Sequence, residues 1–383
     1  MKDRNPGGVP PTMGVEEEFF LVHPAGRGAA AAGTRVVARV PPALAERVSG
    51  EFTEYQVEGR TAPCSDAQEL RTELLGVRSG LAAAARAEGL RLCASGTPVI
   101  GGDGGRADVG GHPRYRAGVL QYRAMHDDFA VCAFHVHVHL PDREAAVLVG
   151  NHVRPWLPLL VAMSANSPFH QGRDTGYASW RSVIRGRFPC LGPPPYAESL
   201  ADHERLATAI AATEAMLEPG MPFWDVRPNP ALPTLEVRTM DVLPDVNDTV
   251  ALTTLIRALV VTAAERVADG DPGPRPSSEL LRAACWRAAR DGWPGAGVDV
   301  LTGRVVPFSV QARDLVDHVR HTLRAYGDEE DVTAFLRRLS EHGSGADRQR
   351  THLAAGRDLT AVVDALIQET NAPTPLAPPD KPT

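Results

Sequence analysis

The chain has 383 residues, of which 43% are hydrophobic and 23% are charged, so it can bury a large core as an ordinary globular protein. Its formal net charge is −7, and no segment concentrates Lys and Arg. A surface that binds the phosphate backbone of nucleic acid is therefore not expected.

The cysteines and the hydropathy pattern argue against two further classes. Five cysteines are scattered without a CxxC spacing, so neither a disulfide framework nor a thiolate zinc site is expected. The first residues lack the apolar segment of a secretion signal, and no uninterrupted run of about 18 apolar residues occurs. We therefore expect no membrane span, and we expect the protein to reside in the reducing cytoplasm.

Composition also predicts the domain boundaries. Residues 1–12 and 371–383 are rich in Pro and polar residues, so we expect disordered ends on either side of a single domain over residues 13–370. Within that domain, the Gly-rich loop 101–111 is typical of a mobile flap.

Strand patterns dominate the first half of the chain. Alternation of apolar and polar residues, together with β-branched residues over strand lengths, predicts five strands. They are GVEEEFFLV (14–22), EFTEYQVEGR (51–60), RLCASGTPVI (91–100), FAVCAFHVHVHL (129–140) and PTLEVRTMDVL (233–243).

Helical patterns separate these strands. Ser65 and Gln68 have the spacing of a capping box that begins a helix, and Gly89 would end it. Asp142 is the predicted N-cap of a second helix, which Pro155 would kink or break.

The second half of the chain is mainly helical. Helices are predicted at 247–270, 277–292 and 309–327, with two more before Thr370. Strands early and helices late favour an α+β fold, in which an antiparallel sheet has helices on one side and leaves its other face free for a site.

The first predicted strand has three consecutive carboxylates. Successive side chains of a strand point to opposite faces, so Glu16 and Glu18 share one face and Glu17 lies on the other. Two carboxylates roughly 6 to 7 Å apart raise each other's pKa unless a cation lies between them. A bound hard metal ion would neutralise this pair.

The same alternation gives other strands a face of acids, imidazoles and guanidinium groups. The residues on these faces are Glu54, Gln56 and Glu58 of EFTEYQVEGR, His135, His137 and His139 of FAVCAFHVHVHL, and Glu236 and Arg238 of PTLEVRTMDVL.

Three interpretations of these faces stay open. Antiparallel sheets often have one solvated face, although Lys and Thr, which usually occupy such faces, are nearly absent here. The HVHVH run admits a zinc or iron site with imidazole ligands. The excess of carboxylates favours Mg²⁺ or Mn²⁺.

Two further segments carry candidate anion-binding arginines. SPFHQGRDTGYASWR combines Arg173, Tyr177 and Arg181 with two glycines, and guanidinium groups bind carboxylates or phosphates in a bidentate manner. A solvated loop has the same composition. Arg287 and Arg290 lie three positions apart on a predicted helix, either to reach an anion or to pair with nearby acids.

Six motifs in a fixed order carry a family resemblance. They are GVEEEF, EGRTAPC, HVHVH, SPFHQGRDTGYASWR, WDVRPNPALPTLEVR and WRAAR. Over roughly residues 13–310 the chain thereby resembles the bacterial carboxylate–amine ligases of the glutamate–cysteine ligase type 2 group. The resemblance implies a fold related to glutamine synthetase, with a curved antiparallel sheet that forms a funnel and helices packed outside.

The resemblance also implies a reaction. In such ligases ATP phosphorylates a substrate carboxylate, and an amine attacks the acyl phosphate to give an amide, ADP and phosphate. Divalent cations, Mg²⁺ or Mn²⁺, neutralise the phosphate charges in such a transfer. The expected partners are thus a small-molecule carboxylic acid and an amine, and a homodimer is expected because symmetric oligomers are common among soluble enzymes.

Carried over by position, the resemblance suggests a role for each candidate residue. The implied metal ligands are Glu16, Glu18, Glu58, His135 and Glu236. For the other candidates it implies that Arg238 faces the transferred phosphoryl group, that Arg181, Arg173 and Tyr177 hold the substrate carboxylate, and that Arg287 contacts phosphate of the nucleotide. Glu17, on the opposite face, is expected to pair with a buried cationic or hydrogen-bonding group.

The substrates stay open because the chain departs from the family pattern. The family usually has Gly at the positions of Ala133 and His139, so His139 becomes a candidate substrate-binding residue. One alternative is glutamate–cysteine ligase proper, and another is a metal-dependent hydrolase or oxygenase that uses HVHVH. A catalytically silent binding protein is disfavoured, because the acidic and guanidinium residues are retained.

Overall fold

The computed structural model describes residues 10–102, 109–218, 222–356 and 358–372. Nearly all of the two predicted disordered ends lies outside the described residues, as does the middle of the Gly-rich loop, 103–108. The predictions of disorder and of a mobile flap therefore stay predictions.

Short and long strands alternate with helices along the chain. The strands are β1 (Met13–Val22), β2 (Val48–Gly50), β3 (Gln56–Arg60), β4 (Arg91–Cys93), β5 (Ala133–His139), β6 (Phe169–His170), β7 (Arg173–Asp174), β8 (Val226–Pro228), β9 (Thr234–Asp241), β10 (Ala296–Val298) and β11 (Val305–Pro307). The helices are α1 (Gly33–Val37), α2 (Ala67–Ala87), α3 (Pro113–Tyr122), α4 (Arg143–Val153), α5 (Leu157–Ser164), α6 (Trp180–Arg185), α7 (Leu200–Ala211), α8 (Val246–Ala268), α9 (Ser278–Asp291), α10 (Phe308–Tyr326), α11 (Glu329–His342), α12 (Gly345–Ala354) and α13 (Leu359–Thr370).

Seven strands form the main sheet, in the order β2-β3-β1-β5-β9-β8 with β4 paired to the distal part of β1. Every pairing within it is antiparallel. The predicted α+β class with an antiparallel sheet and helices is therefore confirmed. Within the described part of the chain the sheet is open and does not close on itself.

One face of the sheet is apolar and packs on helices. Val15 of β1, Val136 of β5 and Val237 of β9 are at most 2% exposed and belong to one large apolar cluster with residues of α8. Helix α8 is buried along most of its length, and most of its buried residues are apolar, as expected for a helix in the core. The opposite face of the same strands is thereby left to the polar side chains.

Some predicted boundaries were wrong by a few residues. Asp66, not Ser65, caps α2: its carboxylate accepts the backbone N–H of Glu69 at 2.8 Å, and the Glu69 carboxylate accepts that of Ser65 at 2.7 Å. The strands predicted at 51–60 and 91–100 are shorter, and three helices rather than two follow α10. Asp142 caps α4, and the turn containing Pro155 separates α4 from α5 as predicted.

The segment Arg143–Ser164, which contains α4 and α5, is long and apolar enough to cross a membrane by length and composition alone. However, 83% of its most apolar window is buried inside the fold. A core helix of a globular domain has the same properties, so the segment is weak evidence for a membrane span.

The third carboxylate of β1 has a partner of the predicted kind on the apolar face. Glu17 is 1% exposed, and the Arg78 guanidinium of α2 donates to its carboxylate from Nε at 2.8 Å. The hydroxyl of Thr249 donates to the same carboxylate at 3.1 Å. Arg78 also donates to the backbone carbonyl of Leu243 at 2.9 Å, so this ion pair joins β1, α2 and the approach to α8.

We expect Glu17→Gln to lower the free energy of unfolding by about 3 to 5 kcal/mol, because it leaves the buried Arg78 charge without its counter-ion. Urea denaturation of the full chain measures this change. The matched control is Asp364→Asn, which removes the carboxylate from the partly exposed pair with Arg27 and is expected to cost about 1 kcal/mol or less. Equal effects of the two substitutions would contradict a structural role for the buried pair.

Candidate active site

The strand register brings the predicted acids and imidazoles together on the polar face. Glu16 of β1 lies opposite His135 of β5, and Glu18 of β1 lies opposite Glu58 of β3. Directly opposed side chains in an antiparallel pair have Cβ atoms about 4.5 to 5.5 Å apart. Glu16 and His135 are separated by more than a hundred positions in sequence, and they become neighbours because β1 is central in the sheet.

The next two strands extend this row. His137 of β5 lies opposite Glu236 of β9, and Glu236 lies opposite Arg227 of β8. Asn229, just after β8, donates from its amide to the Glu236 carboxylate at 2.8 Å. The polar face thus continues across five strands, from β3 to β8.

Glu16, His137 and Glu236 form a first group of possible metal ligands. One ligand atom from each lies within 4.8 Å of the other two. The His137 Nε2 atom is 3.5 Å from Glu16, and the His135 Nδ1 atom is 3.0 Å from the other Glu16 oxygen. Two carboxylates and an imidazole are a ligand set that Mn²⁺ and Mg²⁺ accept.

The charges around this group favour ionised carboxylates. Burial alone would raise the pKa of Glu16, but the adjacent imidazoles of His135 and His137 hold that pKa well below the usual range. Burial also opposes ionisation of Glu236, and the neighbouring Arg238 and Arg227 outweigh it, so the pKa of Glu236 is low. Both side chains can therefore act as anionic ligands at neutral pH.

Glu18, Glu51 and Glu58 form a second group, with ligand atoms also within 4.8 Å of one another. Burial and repulsion by nearby carboxylates raise the pKa of all three, that of Glu18 to about 7; for Glu58 the repelling carboxylate is Glu16. The backbone N–H of Ala133 donates to Glu18 at 2.8 Å, and Arg60 pairs with Glu58. These contacts do not balance two buried carboxylates and a half-buried one, so the group fits a divalent cation that would lower all three pKa values.

Buried arginines lie beside the two groups. Arg238 pairs with Glu236, and its Nε has no hydrogen-bond partner among the described residues. Arg181 is 1% exposed and donates to the backbone carbonyls of Thr239 and Arg238 at 3.0 and 3.2 Å. Its Nε is likewise unpartnered within the described chain. Free N–H groups on buried guanidinium ions are suited to an anionic ligand.

A cavity of about 310 Å³ is lined by the five carboxylates of the two groups and by these arginines, whereas His137 does not line it. Seven of the eleven predicted site residues line it. They are Glu16, Glu18, Glu58, His135, Arg181, Glu236 and Arg238.

Two of the four remaining candidates lie at element ends away from the cavity. His139 is exposed at the end of β5, where its backbone N–H donates to Thr12 at 2.9 Å. Arg287 of α9 donates to the carbonyl of Ala296 at 2.6 Å and lies 3.5 Å from the Asp291 carboxylate. The structure therefore does not bring either side chain to the predicted site.

Of the other two candidates, Arg173 lies on β7 and Tyr177 lies in the connection between β7 and α6. Arg173 is exposed, with its guanidinium carbon 5.7 Å from the centre of the Trp180 ring. The Tyr177 ring contacts the rings of Trp180 and Trp286 at centroid distances of 5.3 and 6.3 Å. Neither lines the cavity that holds Arg181, so only one residue of the predicted carboxylate-binding segment reaches it.

Several residues that line the cavity or complete a ligand group were not predicted from the sequence. His137 was predicted to lie on the polar face but not to be a ligand. Arg227 belongs to the family motif WDVRPNPALPTLEVR, but only Glu236 and Arg238 of that motif were predicted site residues. Glu51 was missed because strand alternation from Glu58 placed it on the opposite face. The chain leaves strand geometry between Gly50 and Gln56, and this break turns Glu51 inward. Arg185, paired with Asp225 at 2.7 Å, had no signal in the sequence.

Two solved structures share this fold. Glutamate–cysteine ligase from Francisella tularensis in complex with AMP matches with a TM-score of 0.69 at 12% identity, over 96% of this chain and 90% of that one. A bifunctional glutathione synthetase from Pasteurella multocida matches with a TM-score of 0.65 at 15% identity, over 95% of this chain and 52% of that one. The fold is that of the glutamine synthetase-like ligases.

Sequence comparison gives the particular family. The model of "Glutamate-cysteine ligase family 2 (GCS2)" matches residues 12–368, so the chain belongs to this family of amide-bond-forming ligases. A protein of Saccharopolyspora erythraea named "Putative glutamate--cysteine ligase 2-1" is 43% identical over 362 residues, which are 94% of each chain. A protein of Salinispora arenicola named "Putative glutamate--cysteine ligase 2" is 43% identical over 367 residues, 95% of this chain and 96% of its own.

Proposed function

We propose that the protein is an ATP-dependent carboxylate–amine ligase that forms an amide through an acyl phosphate and releases ADP and phosphate. The observation that carries this proposal is the cavity in which the five carboxylates of the two metal-ligand groups lie beside buried, incompletely paired arginines. Similarity to a ligase solved with AMP supports nucleotide binding. We place the reaction in the cytoplasm, where ATP is available.

The donor chemistry supports Mg²⁺ or Mn²⁺ as the cofactor. The first group offers Glu16, Glu236 and an imidazole, and the second offers three carboxylates. Oxygen-rich sites with at most one imidazole suit these cations better than Zn²⁺ or Fe²⁺, which favour more nitrogen or sulfur ligands. When bound, such cations would neutralise the phosphate oxygens of ATP during phosphoryl transfer.

Two arginines would have different roles in the reaction. Arg181 would hold the substrate carboxylate, one oxygen of which attacks the γ-phosphorus of ATP while ADP leaves. Arg238 would stabilise the negative charge that develops on the transferred phosphoryl group. The amine then attacks the carbonyl carbon, phosphate leaves, and the nitrogen loses a proton. Burial of the site would keep water away from the acyl phosphate.

The names of the relatives support glutamate–cysteine ligase proper as the alternative within the same reaction class. A hydrolase or oxygenase built on HVHVH is not supported, because the three imidazoles do not converge. His139 is exposed, and His135 is hydrogen-bonded to Glu16. An imidazole triad for zinc or iron is therefore missing from the polar face that the structure describes.

We expect Mn²⁺ to bind at two sites per chain, because each ligand group can hold one ion. Glu58→Gln should remove one Mn²⁺ and Glu16→Gln the other, as measured by titration with electron paramagnetic resonance. Glu279→Gln, which alters an exposed carboxylate of α9, is the matched control and should keep both ions. Two bound ions in both site variants would contradict the assignment.

We expect Glu16→Gln and Glu236→Gln to reduce ADP release at least 1,000-fold while the fold is kept, since phosphoryl transfer without its cation clamp loses several kcal/mol of transition-state stabilisation. The measurement is an ADP-release screen over paired carboxylic acids and amines with Mg²⁺ or Mn²⁺. Circular dichroism checks the fold, and Glu279→Gln is again the control. If no pair gives acid-dependent ADP with the unmodified protein, the ligase proposal fails.

A further inference from the structure

One side of the cavity is aromatic. Its rings come from Phe52, Tyr122, His126, Phe129 and Phe188, which we call the aromatic wall. The rings of Phe52 and His126 are stacked with centroids 4.1 Å apart, and Phe129 meets Phe188 edge to face at 4.7 Å. Tyr122 contacts Phe188 at 5.2 Å, so the five rings form one continuous surface.

The aromatic wall is not part of the packed core. Its members lie outside the apolar clusters that join the sheet to the helices. Phe52, Tyr122 and Phe129 are only half-buried, although all three are large and face a cavity. An apolar surface of this kind, continuous with a candidate active site, favours a ligand with an apolar group.

Two residues of the aromatic wall are close in sequence to charged residues of the cavity. The backbone N–H of Phe52 donates to the carboxylate of Glu51 at 3.0 Å. The backbone N–H of Phe188 donates to the carbonyl of Arg185 at 3.0 Å, so these two residues lie one turn apart along the chain, and both line the cavity. One terminal nitrogen of Arg185, which is 6% exposed, has no hydrogen-bond partner among the described residues.

We propose that the acid substrate of this ligase carries a bulky apolar side chain, preferably aromatic, which binds against the aromatic wall while Arg181 and Arg185 bind its carboxylate. This inference rests on the proposed ligase function and specifies its substrate class. The incompletely paired guanidinium nitrogens supply the anion site, and the rings supply the specificity.

The charges near the aromatic wall disfavour a substrate with an anionic side chain. His126 is buried between Phe52 and Phe129, and burial lowers the pKa of its imidazole to about 4, so it is neutral at pH 7. Arg114 also lines the cavity, but Glu218 pairs with it at 2.6 Å. Of the cations that the structure describes, Arg114 is thus already paired, so a second carboxylate placed against these rings would lose its hydration without gaining Arg114 as a free partner.

A binding series tests the proposal without requiring turnover. Isothermal titration calorimetry on the full chain, with Mg²⁺ and a non-hydrolysable ATP analogue, compares phenylalanine and 3-phenylpropionate with alanine, glutamate and cysteine. We expect at least one aromatic acid to bind tenfold or more tightly than the other three. The amide of that acid should bind at least tenfold more weakly, because it lacks the carboxylate. If glutamate or cysteine binds as tightly as both aromatic acids, or if neither aromatic acid binds, the proposal is wrong.

Variants of the aromatic wall test where the side chain binds. Phe52→Leu and Phe129→Leu should each reduce the preference for the aromatic acid over alanine at least fivefold. Tyr196→Leu is the matched control, since Tyr196 packs on Arg275 and does not line the cavity. Unchanged preference in both wall variants contradicts the proposal. Loss of affinity for ADP with unchanged acid preference also contradicts it, and would show that the rings bind adenine.

The same measurements separate this inference from the ligase proposal. Selective binding of the aromatic acid without ADP release in the presence of any amine would leave the binding site standing and overturn the ligase reaction. ADP release that depends on glutamate rather than on an aromatic acid would leave the ligase standing and overturn the substrate class.

Discussion

The structure depends on how the chain compensates negative charge that it buries on both faces of one central strand. An ionised carboxylate away from water needs a cation or several hydrogen bonds. On the apolar face of β1, Glu17 has a permanent counter-ion in Arg78. On the polar face, Glu16 is balanced by imidazoles, whereas Glu18 meets two further carboxylates. The difference separates a structural ion pair from a site that needs a ligand.

The alternation of β-strands explains how much of this site the sequence could predict. A period of two assigns a face to every residue of a strand, so Glu16, Glu18 and Glu236 were placed on one side without any knowledge of pairing. It failed at Glu51, because the chain between Gly50 and Gln56 is not a strand and the alternation does not continue through it. Residues outside regular structure have no such rule, and their direction depends on tertiary contacts.

Arginines were harder to assign than acids, for a related reason. A long, flexible guanidinium side chain can pair locally or reach a distant site, and its sequence pattern is the same in both cases. Arg287 has a local partner in Asp291 on its own helix, whereas Arg181 is drawn inward to carbonyls of β9. Whether an arginine pairs locally or reaches the site depends on which face of its helix packs against the sheet. The sequence around α6 and α9 does not determine this by itself.

The two sides of the cavity also come from different parts of the fold. The metal-ligand groups lie mainly on β1, β3, β5 and β9, whose register fixes their spacing, and a strand shift by one residue would turn them to the other face. The aromatic wall comes from Phe52 in a connection, from the end of α3 and the turn after it, and from Phe188 beyond α6. Connections tolerate substitution better than central strands. A fold divided in this way can therefore keep one phosphoryl-transfer site and change the side chain of the acid it accepts.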